Sequence, residues 1–164
     1  MSRKSDEPLL VLAAELGAVA HARGAMIATA ESCTGGLVAG AITAISGSST
    51  WFERGFVTYS NLAKEQQLGV APSTLERFGA VSEETVTEMA QGALRSAPAQ
   101  WAVAVTGIAG PDGGSPDKPV GTVWFAWAGP DHLQTLKRQF DGDRAAIREA
   151  SVRVALEGLV DRLA

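Results

Sequence analysis

The spacing of apolar residues changes repeatedly along the chain and predicts alternating helices and strands. Apolar residues three or four positions apart indicate amphipathic helices, and short apolar, β-branched or aromatic runs indicate strands. The predicted helices cover 9–21, 37–45, 61–68, 72–78, a segment capped by Ser82 and a segment capped by Asp143. The predicted strands cover 26–30, 52–59, 101–106, 120–128 and 132–140. Asn61 is the predicted N-cap of the third helix.

The order of these elements, α-β-α-β-α-α-α-β-β-β-α, favours a sheet covered on both faces. Helices at both ends and between strands are typical of a three-layer α/β/α sandwich. The last two strands flank Gly129, Pro130 and Asp131, which predicts an antiparallel hairpin and therefore a mixed central sheet. No linker divides the 164 residues, so we expect one domain, 1–164, with a mobile polar tail at 1–7.

The composition restricts the expected partners and compartment. The net charge is −4 and no Lys/Arg stripe is present, which argues against nucleic acid but leaves a small anionic metabolite open. No apolar stretch approaches transmembrane length, so no membrane partner is expected. Cys33 is the only cysteine, which excludes an internal disulfide and predicts a reducing, cytoplasmic location.

A cluster of polar and small residues, 31–36, joins the first predicted strand to the second predicted helix, and it reads Glu-Ser-Cys-Thr-Gly-Gly. Unpaired N–H groups in the first turn of a helix can hold a phosphate or stabilise an oxyanion. Gly35 and Gly36 would let a ligand approach the backbone closely. The alternative is an ordinary capped turn, in which Ser32 or Thr34 is the N-cap and the glycines serve packing.

A long loop rich in glycine and proline, 107–119, follows the third predicted strand. Loops after strand carboxyl ends gather at one edge of an α/β sheet, so this loop is expected near the 31–36 turn. Its backbone amides suit an anion. It lacks the lysine of a Walker A loop and the following helix of a dinucleotide-binding fingerprint. A flexible turn without a ligand is the alternative.

The basic side chains restrict the mechanism. His21 and His132 do not neighbour a candidate nucleophile, so neither a Ser-His-Asp triad nor a zinc site is expected. If Ser32 is a nucleophile, a lysine with a lowered pKa is one option for its base. Tyr59 ends the second predicted strand and Lys64 lies just past its carboxyl end, so both belong to the same edge as Ser32. The alternatives are a solvated helix lysine and a surface aromatic residue.

Three neighbours of Ser32 have alternative interpretations. Cys33, near a helix start, is a candidate nucleophile, but without a partner histidine we interpret it as a small buried residue. Thr34 is a candidate hydrogen-bonding partner of the substrate. Glu31 is a candidate either to orient Lys64 or to cap the following helix.

Arg144 opens the last predicted helix, where its charge opposes the helix dipole. A bound phosphate or carboxylate would offset that unfavourable interaction. The alternative is an ion pair with Asp141 or Glu149. The sequence leaves open whether Arg144 or Arg148 meets a phosphate.

Six separated segments, in the same order along the chain, resemble the CinA C-terminal domain family. They are 30–36, 47–49, 55–61, 79–82, 106–114 and 118–123. The resemblance implies an α/β/α sandwich that forms homodimers or higher homo-oligomers and needs no metal or cofactor. Stand-alone members of this family hydrolyse the carboxamide of nicotinamide mononucleotide (NMN) to nicotinate mononucleotide and ammonia, within pyridine-nucleotide (NAD) recycling.

The same resemblance implies roles for individual residues. Ser32 falls on the nucleophilic serine of the family, Lys64 on its lysine and Tyr59 on its tyrosine, which indicates a Ser-Lys amidase. The residues expected to bind the substrate are Glu31, Cys33, Thr34, Gly35, Gly36, Ser48, Thr106, Gly107, Gly110, Gly113 and Arg144.

Two other functions stay open at this level. A non-catalytic nucleotide-binding or regulatory domain would bind NMN without releasing ammonia and would be indifferent to the loss of Lys64. Phosphate-ester hydrolysis at the glycine-rich loop is the other, although no cluster of metal ligands accompanies it. We rank the amidase first, the binding domain second and the phosphatase last.

Overall fold

The computed structural model describes residues 7–164 and confirms the predicted order of helices and strands. The helices are α1 (Glu7–Arg23), α2 (Leu37–Thr43), α3 (Asn61–Leu68), α4 (Pro72–Phe78), α5 (Glu83–Ser96) and α6 (Arg144–Leu163). The strands are β1 (Ile27–Glu31), β2 (Phe52–Val57), β3 (Trp101–Gly107), β4 (Thr122–Gly129) and β5 (His132–Gln139). A short 3₁₀ helix, Ser48–Thr50, is an addition to the predicted elements. Glu7 begins α1, and the rest of the predicted tail lies outside the described residues.

The five strands form one mixed sheet in the order β2-β1-β3-β4-β5. β1 runs parallel to β2 on one side and to β3 on the other, and β4 and β5 form the predicted antiparallel hairpin. Glu31, the last residue of β1, pairs with Val57 of β2 and Val105 of β3. The carboxyl ends of these three strands therefore meet at one edge, as the sequence predicts for the 31–36 turn and the 107–119 loop.

Alternate residues of the central strands face different helical layers. Valine and aromatic residues of β3 and β4 pack against α1, α2 and α6, whereas alanines of the same strands pack against α3, α4 and α5. The second layer also contains a close helix contact, since a Cβ at Gly92 of α5 would lie 1.9 Å from the Leu68 carbonyl oxygen. The result is the predicted three-layer sandwich. Within residues 7–164, no helix has the length and apolar character needed to cross a membrane.

Side-chain caps fix the starts of three helices. Ser82 and Asp143 are the N-caps of α5 and α6, as predicted, and accept hydrogen bonds from the Thr85 and Ala146 N–H groups. The predicted cap of α3 is wrong by one residue: Asn61 is already helical, and Ser60 is the N-cap. Ser60 has the extended backbone that an N-cap requires, and its Oγ accepts from the amide nitrogen of Ala63 at 3.0 Å.

Candidate active site

Ser32 and Lys64 form a hydrogen-bonded pair at the carboxyl edge of the sheet. The Nζ atom of Lys64 donates to Ser32 Oγ at 2.9 Å and to the Thr58 carbonyl oxygen at 2.8 Å. Ser32 is 8% exposed and Lys64 is 1% exposed, so the interpretation of Lys64 as a solvated helix lysine is wrong. Across residues 7–164, no carboxylate forms an ion pair with this ammonium group.

Burial without a countercharge favours the neutral form of Lys64. Burial lowers the pKa of Lys64 from 10.5 to about 8. A substantial fraction of the side chain is therefore a neutral amine near pH 7.5, and a neutral amine can accept a proton from the serine hydroxyl beside it.

The backbone around the pair explains how the two side chains meet. The Ser32 N–H donates to the Val105 carbonyl oxygen at 3.0 Å, and the Thr58 N–H donates to the Glu31 carbonyl oxygen at 2.8 Å. These bonds extend the pairing of β1 with both neighbours by one residue. The Ser60 cap then starts α3, and its first turn directs Lys64 back towards Ser32.

Glu31 caps the turn that carries the nucleophile. Its carboxylate accepts hydrogen bonds from four groups, and Glu31 itself is 1% exposed. The donors are Thr34 Oγ1 and the amide nitrogens of Gly36, Val38 and Ala39, at 2.6, 3.2, 2.9 and 3.1 Å. The contacts of Glu31 therefore agree with its interpretation as a cap of the following helix, and not with its interpretation as a residue that orients Lys64. Ser32 and Thr34 do not cap α2.

One backbone amide of the turn is left for a ligand. Among residues 7–164, the N–H of Cys33 has no hydrogen-bond acceptor in another residue, and Cys33 is 6% exposed. Thr34 is 0% exposed, and the N–H of Gly35 donates to the Ser32 carbonyl oxygen at 3.0 Å. The amide of Cys33 follows directly after the candidate nucleophile. This is a position from which an oxyanion can be stabilised.

The Cys33 thiol is not suited to act as the nucleophile. Cys33 is 6% exposed, and burial raises the pKa of its thiol to about 12. The thiol is therefore protonated at neutral pH, and a protonated thiol is a poor nucleophile. This agrees with its interpretation as a small buried residue.

A cleft of about 270 Å³ opens above the Ser32–Lys64 pair. Six of the predicted site residues line it together with the pair, namely Cys33, Tyr59, Thr106, Gly107, Gly110 and Arg144. The Thr106 hydroxyl donates to the Ala80 carbonyl oxygen at 2.8 Å, so Thr106 fixes the opposite wall. A Cβ at Gly107 would lie 2.7 Å from Val123 Cγ2, which explains the need for glycine there.

Six further lining residues are not among the predicted site residues: Asn61, Ala80, Val81, Ile108, Ala109 and Asp112. The sequence predicts Asn61 only as a helix cap. Its position close to Tyr59, in the segment after β2, is the one sequence feature that could have indicated a place in the site. Ile108, Ala109 and Asp112 belong to the predicted loop, but only the folded loop shows that they reach the cleft. Ala80 and Val81 carry no chemical signal in the sequence.

Arg144 and Tyr59 meet at the rim of the cleft. Arg144 donates from Nη1 to the Gly110 carbonyl oxygen at 2.8 Å and from Nη2 to the Tyr59 hydroxyl at 3.0 Å. The alternative ion pairs of Arg144 with Asp141 or Glu149 do not form. Tyr59 is 63% exposed, and its hydroxyl oxygen accepts this hydrogen bond from Arg144.

Six predicted substrate-binding residues are placed away from the lining of the cleft. Ser48 precedes the amino end of β2, at the opposite edge of the sheet, so its prediction as a substrate contact is not supported. Gly113 lies further along the loop. Gly35 and Gly36 have φ values of 56° and 101° and shape the turn, while Thr34 and Glu31 are fully occupied with each other and with α2.

These features define the class: a three-layer α/β protein with a buried serine–lysine pair at the carboxyl edge of a mixed sheet. The profile of the family described as CinA C-terminal domain matches residues 10–163. The chain belongs to the CinA C-terminal domain family.

Curated relatives and solved structures agree with this assignment. The chain is 61% identical over 145 residues to the nicotinamide-nucleotide amidohydrolase PncC of Enterobacter agglomerans, covering 88% of each chain. It is 56% identical over 156 residues to the protein of the same name from Escherichia coli K12, covering 94% of each. The crystal structure of competence/damage inducible protein CihA from Agrobacterium tumefaciens superposes with a TM-score of 0.91 at 50% identity, covering 93% of this chain and 94% of the other.

Proposed function

We propose that the protein is a nicotinamide-nucleotide amidase, which converts NMN to nicotinate mononucleotide and ammonia through Ser32 and Lys64. The observation that carries the proposal is the contact between the buried Nζ of Lys64 and Ser32 Oγ at 2.9 Å. The names of relatives at 61% and 56% identity support this substrate. The role we assign to such an amidase is the recycling of pyridine nucleotides.

The first half of the reaction acylates Ser32. The neutral amine of Lys64 accepts the hydroxyl proton while Ser32 Oγ forms a bond to the carboxamide carbon. The carbonyl π electrons move to oxygen, and the N–H group of Cys33, which lines the cleft, stabilises the resulting oxyanion. Removing one such donor typically costs a factor of about 100 to 1,000 in rate.

Collapse of the tetrahedral intermediate expels ammonia. The carbon–nitrogen bond breaks, the ammonium form of Lys64 returns a proton to the leaving nitrogen, and a nicotinoyl ester of Ser32 remains. Lys64, neutral again, deprotonates a water molecule that attacks this ester. The Ser32–carbon bond then breaks, Ser32 recovers its proton, and nicotinate mononucleotide leaves. We assign Tyr59 a supporting role in the proton transfers of Lys64.

The phosphate of the substrate needs a separate contact. The first-turn amides of α2 already donate to Glu31, so they are not free for an anion. Arg144 lies at the cleft rim beside the loop amides of 107–114, and we assign the phosphate to this group. Replacing Arg144 with methionine should then raise KM for NMN more than it lowers kcat.

The test is hydrolysis of NMN by the purified protein, without added metal, with ammonia and nicotinate mononucleotide measured separately. Wild type should release both products in equal amounts, whereas Ser32→Ala and Lys64→Ala should release almost none while remaining folded by circular dichroism. Binding of NMN without ammonia would overturn the proposal in favour of a binding domain. Release of inorganic phosphate in place of ammonia would favour the phosphatase. Full activity of Ser32→Ala would exclude Ser32 as the nucleophile.

A further inference from the structure

Asn61 of α3 lies at the same end of this helix as the reacting pair. Lys64 follows it by three residues, so the two side chains project from neighbouring positions on one face of the helix. The Nζ atom of Lys64 reaches back past the start of α3, because it donates to the Thr58 carbonyl oxygen at 2.8 Å and to Ser32 Oγ at 2.9 Å. Asn61, the first residue of α3, is therefore close to this contact, and it lines the same cleft.

The other polar side chains of the cleft are committed elsewhere or offer less. The Thr106 hydroxyl and the Arg144 guanidinium donate to oxygens of the protein. Asp112 is a carboxylate, which only accepts hydrogen bonds. The side chain of Asn61 is exposed and forms no hydrogen bond within residues 7–164. Its amide supplies both an acceptor, Oδ1, and a donor, Nδ2.

A carboxamide is the chemical group that an asparagine side chain complements. The carboxamide of NMN presents one carbonyl oxygen and one NH₂ group, so Asn61 Oδ1 can accept from its nitrogen while Asn61 Nδ2 donates to its oxygen. The carboxylate of the product has two oxygens and no donor. In either orientation of the Asn61 amide, one of the two contacts with a carboxylate would place oxygen against oxygen. The arrangement that holds the substrate therefore disfavours the product.

We propose that Asn61 is a specificity-determining residue, which pairs with the substrate carboxamide through both atoms of its amide and so distinguishes NMN from nicotinate mononucleotide. This inference rests on the proposed amidase function for the identity of the two ligands. It assigns the two ends of the substrate to different helices. Asn61 of α3 contacts the carboxamide beside Ser32, and Arg144 of α6 contacts the phosphate at the rim.

Binding of the two ligands provides the first test. The dissociation constants of NMN and nicotinate mononucleotide are measured by calorimetry near neutral pH, in a Ser32→Ala background that prevents turnover. The quantity compared is the ratio of the Kd for nicotinate mononucleotide to the Kd for NMN. The ammonium form of Lys64 attracts a carboxylate in every variant, so the change in this ratio reports on Asn61. Asn61→Leu removes both hydrogen bonds and the opposed oxygen, and the ratio should fall by about ten-fold or more.

Two further variants separate recognition from a structural effect. In Asn61→Asp, the new carboxylate still accepts from the nitrogen of NMN but opposes the product carboxylate with like charge, so the ratio should rise by about three-fold or more. Gln67→Leu is the matched control, because Gln67 is an exposed amide of the same helix that does not line the cleft. It should leave the ratio unchanged. Altered packing of α3 would weaken both ligands together and would not move the ratio in opposite directions in the two Asn61 variants.

Hydrolysis kinetics with Ser32 intact give a second readout. Asn61→Leu should lower kcat/KM for NMN by about ten-fold or more, whereas Gln67→Leu should retain the wild-type value. The inhibition constant of nicotinate mononucleotide, divided by KM for NMN, should shift in the same direction as the binding ratio. These kinetic constants decide the role of Asn61 if the Ser32→Ala parent binds too weakly for calorimetry.

The outcomes distinguish the proposal from the function on which it rests. Ratios within about two-fold of the parent in both Asn61→Leu and Asn61→Asp would overturn the role of Asn61, and so would an equal loss of affinity for both ligands. Protein with Ser32 intact that binds NMN but releases no ammonia would overturn the amidase, and the binding ratios would still decide the role of Asn61. If Asn61→Leu fails to fold by circular dichroism, the opposite shift expected for Asn61→Asp carries the test.

Discussion

The pH dependence of NMN hydrolysis follows from the burial of Lys64. Because the base must be neutral, kcat/KM should rise with pH and level off above the pKa of Lys64, which burial lowers to about 8. A fully solvated lysine, with its ordinary pKa near 10.5, would still be almost entirely protonated there. The profile therefore reports directly on the environment of this side chain.

The size of the effect can be worked out from the two pKa values. At about pH 7.5, a group with a pKa of about 8 is neutral in about a quarter of the molecules, whereas a pKa of 10.5 leaves about one in a thousand. Burial thus raises the concentration of competent base by about two hundred-fold. The same shift corresponds to about 3 kcal/mol of interaction that disfavours the charged form.

The assay measures ammonia release under kcat/KM conditions from about pH 6.5 to about pH 10. The phosphate of NMN also titrates, with a second pKa of about 6, so nicotinamide riboside is the control substrate without that group. Both substrates should show the same rise centred near pH 8. An activity that is flat across this range, or that rises only above about pH 10, would refute a buried neutral lysine as the base.

Three further predictions concern the structure around the site. Lys64→Met should remove activity and also a pH dependence of stability. The pKa of Lys64 is lower in the folded protein than in the unfolded chain, so the unfolded chain binds more protons between about pH 8 and 10.5. The free energy of unfolding of the wild type should therefore rise with pH over this range, relative to that of the variant. Glu31→Gln should cost about 1–3 kcal/mol in urea unfolding, because the partly buried N–H of Ala39 loses its acceptor. The exposed Glu15→Gln should change stability by less than about 0.5 kcal/mol. Gly92→Ala should destabilise the fold strongly, since its Cβ would lie 1.9 Å from a carbonyl oxygen of α3, whereas Gly40→Ala, with open space around it, should gain about 0.5–1 kcal/mol. Equal stabilities for the two alanine variants would contradict the packing argument.

The sequence predicts the elements well because their signals are local. Apolar spacing and the N-caps Ser82 and Asp143 depend on residues within a few positions of one another, and the structure confirms them. The strand order β2-β1-β3-β4-β5 depends on contacts between distant segments, so the pattern alone indicates only a mixed sheet. The misplaced cap of α3 has a local cause, because Ser60 and Asn61 are both good N-caps and only the backbone distinguishes them.

The candidate site is predicted in part for a topological reason. Ser32 and Lys64 each follow a strand, and parallel strands bring such residues to one edge, so the sequence indicates their proximity. It cannot indicate that Lys64 is 1% exposed, because burial depends on the packing of α3 against α5 and the sheet. Arg148 donates hydrogen bonds to the carbonyl oxygens of Cys33 and Thr34, which lie 115 and 114 residues away along the chain, and no local signal marks these contacts.

The occupation of the α2 N-terminus by Glu31 changes the interpretation of the whole turn. The free amides of a helix start suggest either an anion site or an oxyanion site, and the sequence leaves both open. In the structure, the amides of Gly36, Val38 and Ala39 donate to a buried carboxylate, which satisfies them and places a negative charge where a phosphate would have to bind. An oxyanion in the cleft still has a donor in the amide of Cys33, which lines it. The local charges therefore favour a turn that stabilises a transient oxyanion and directs the permanent charge of the substrate to Arg144.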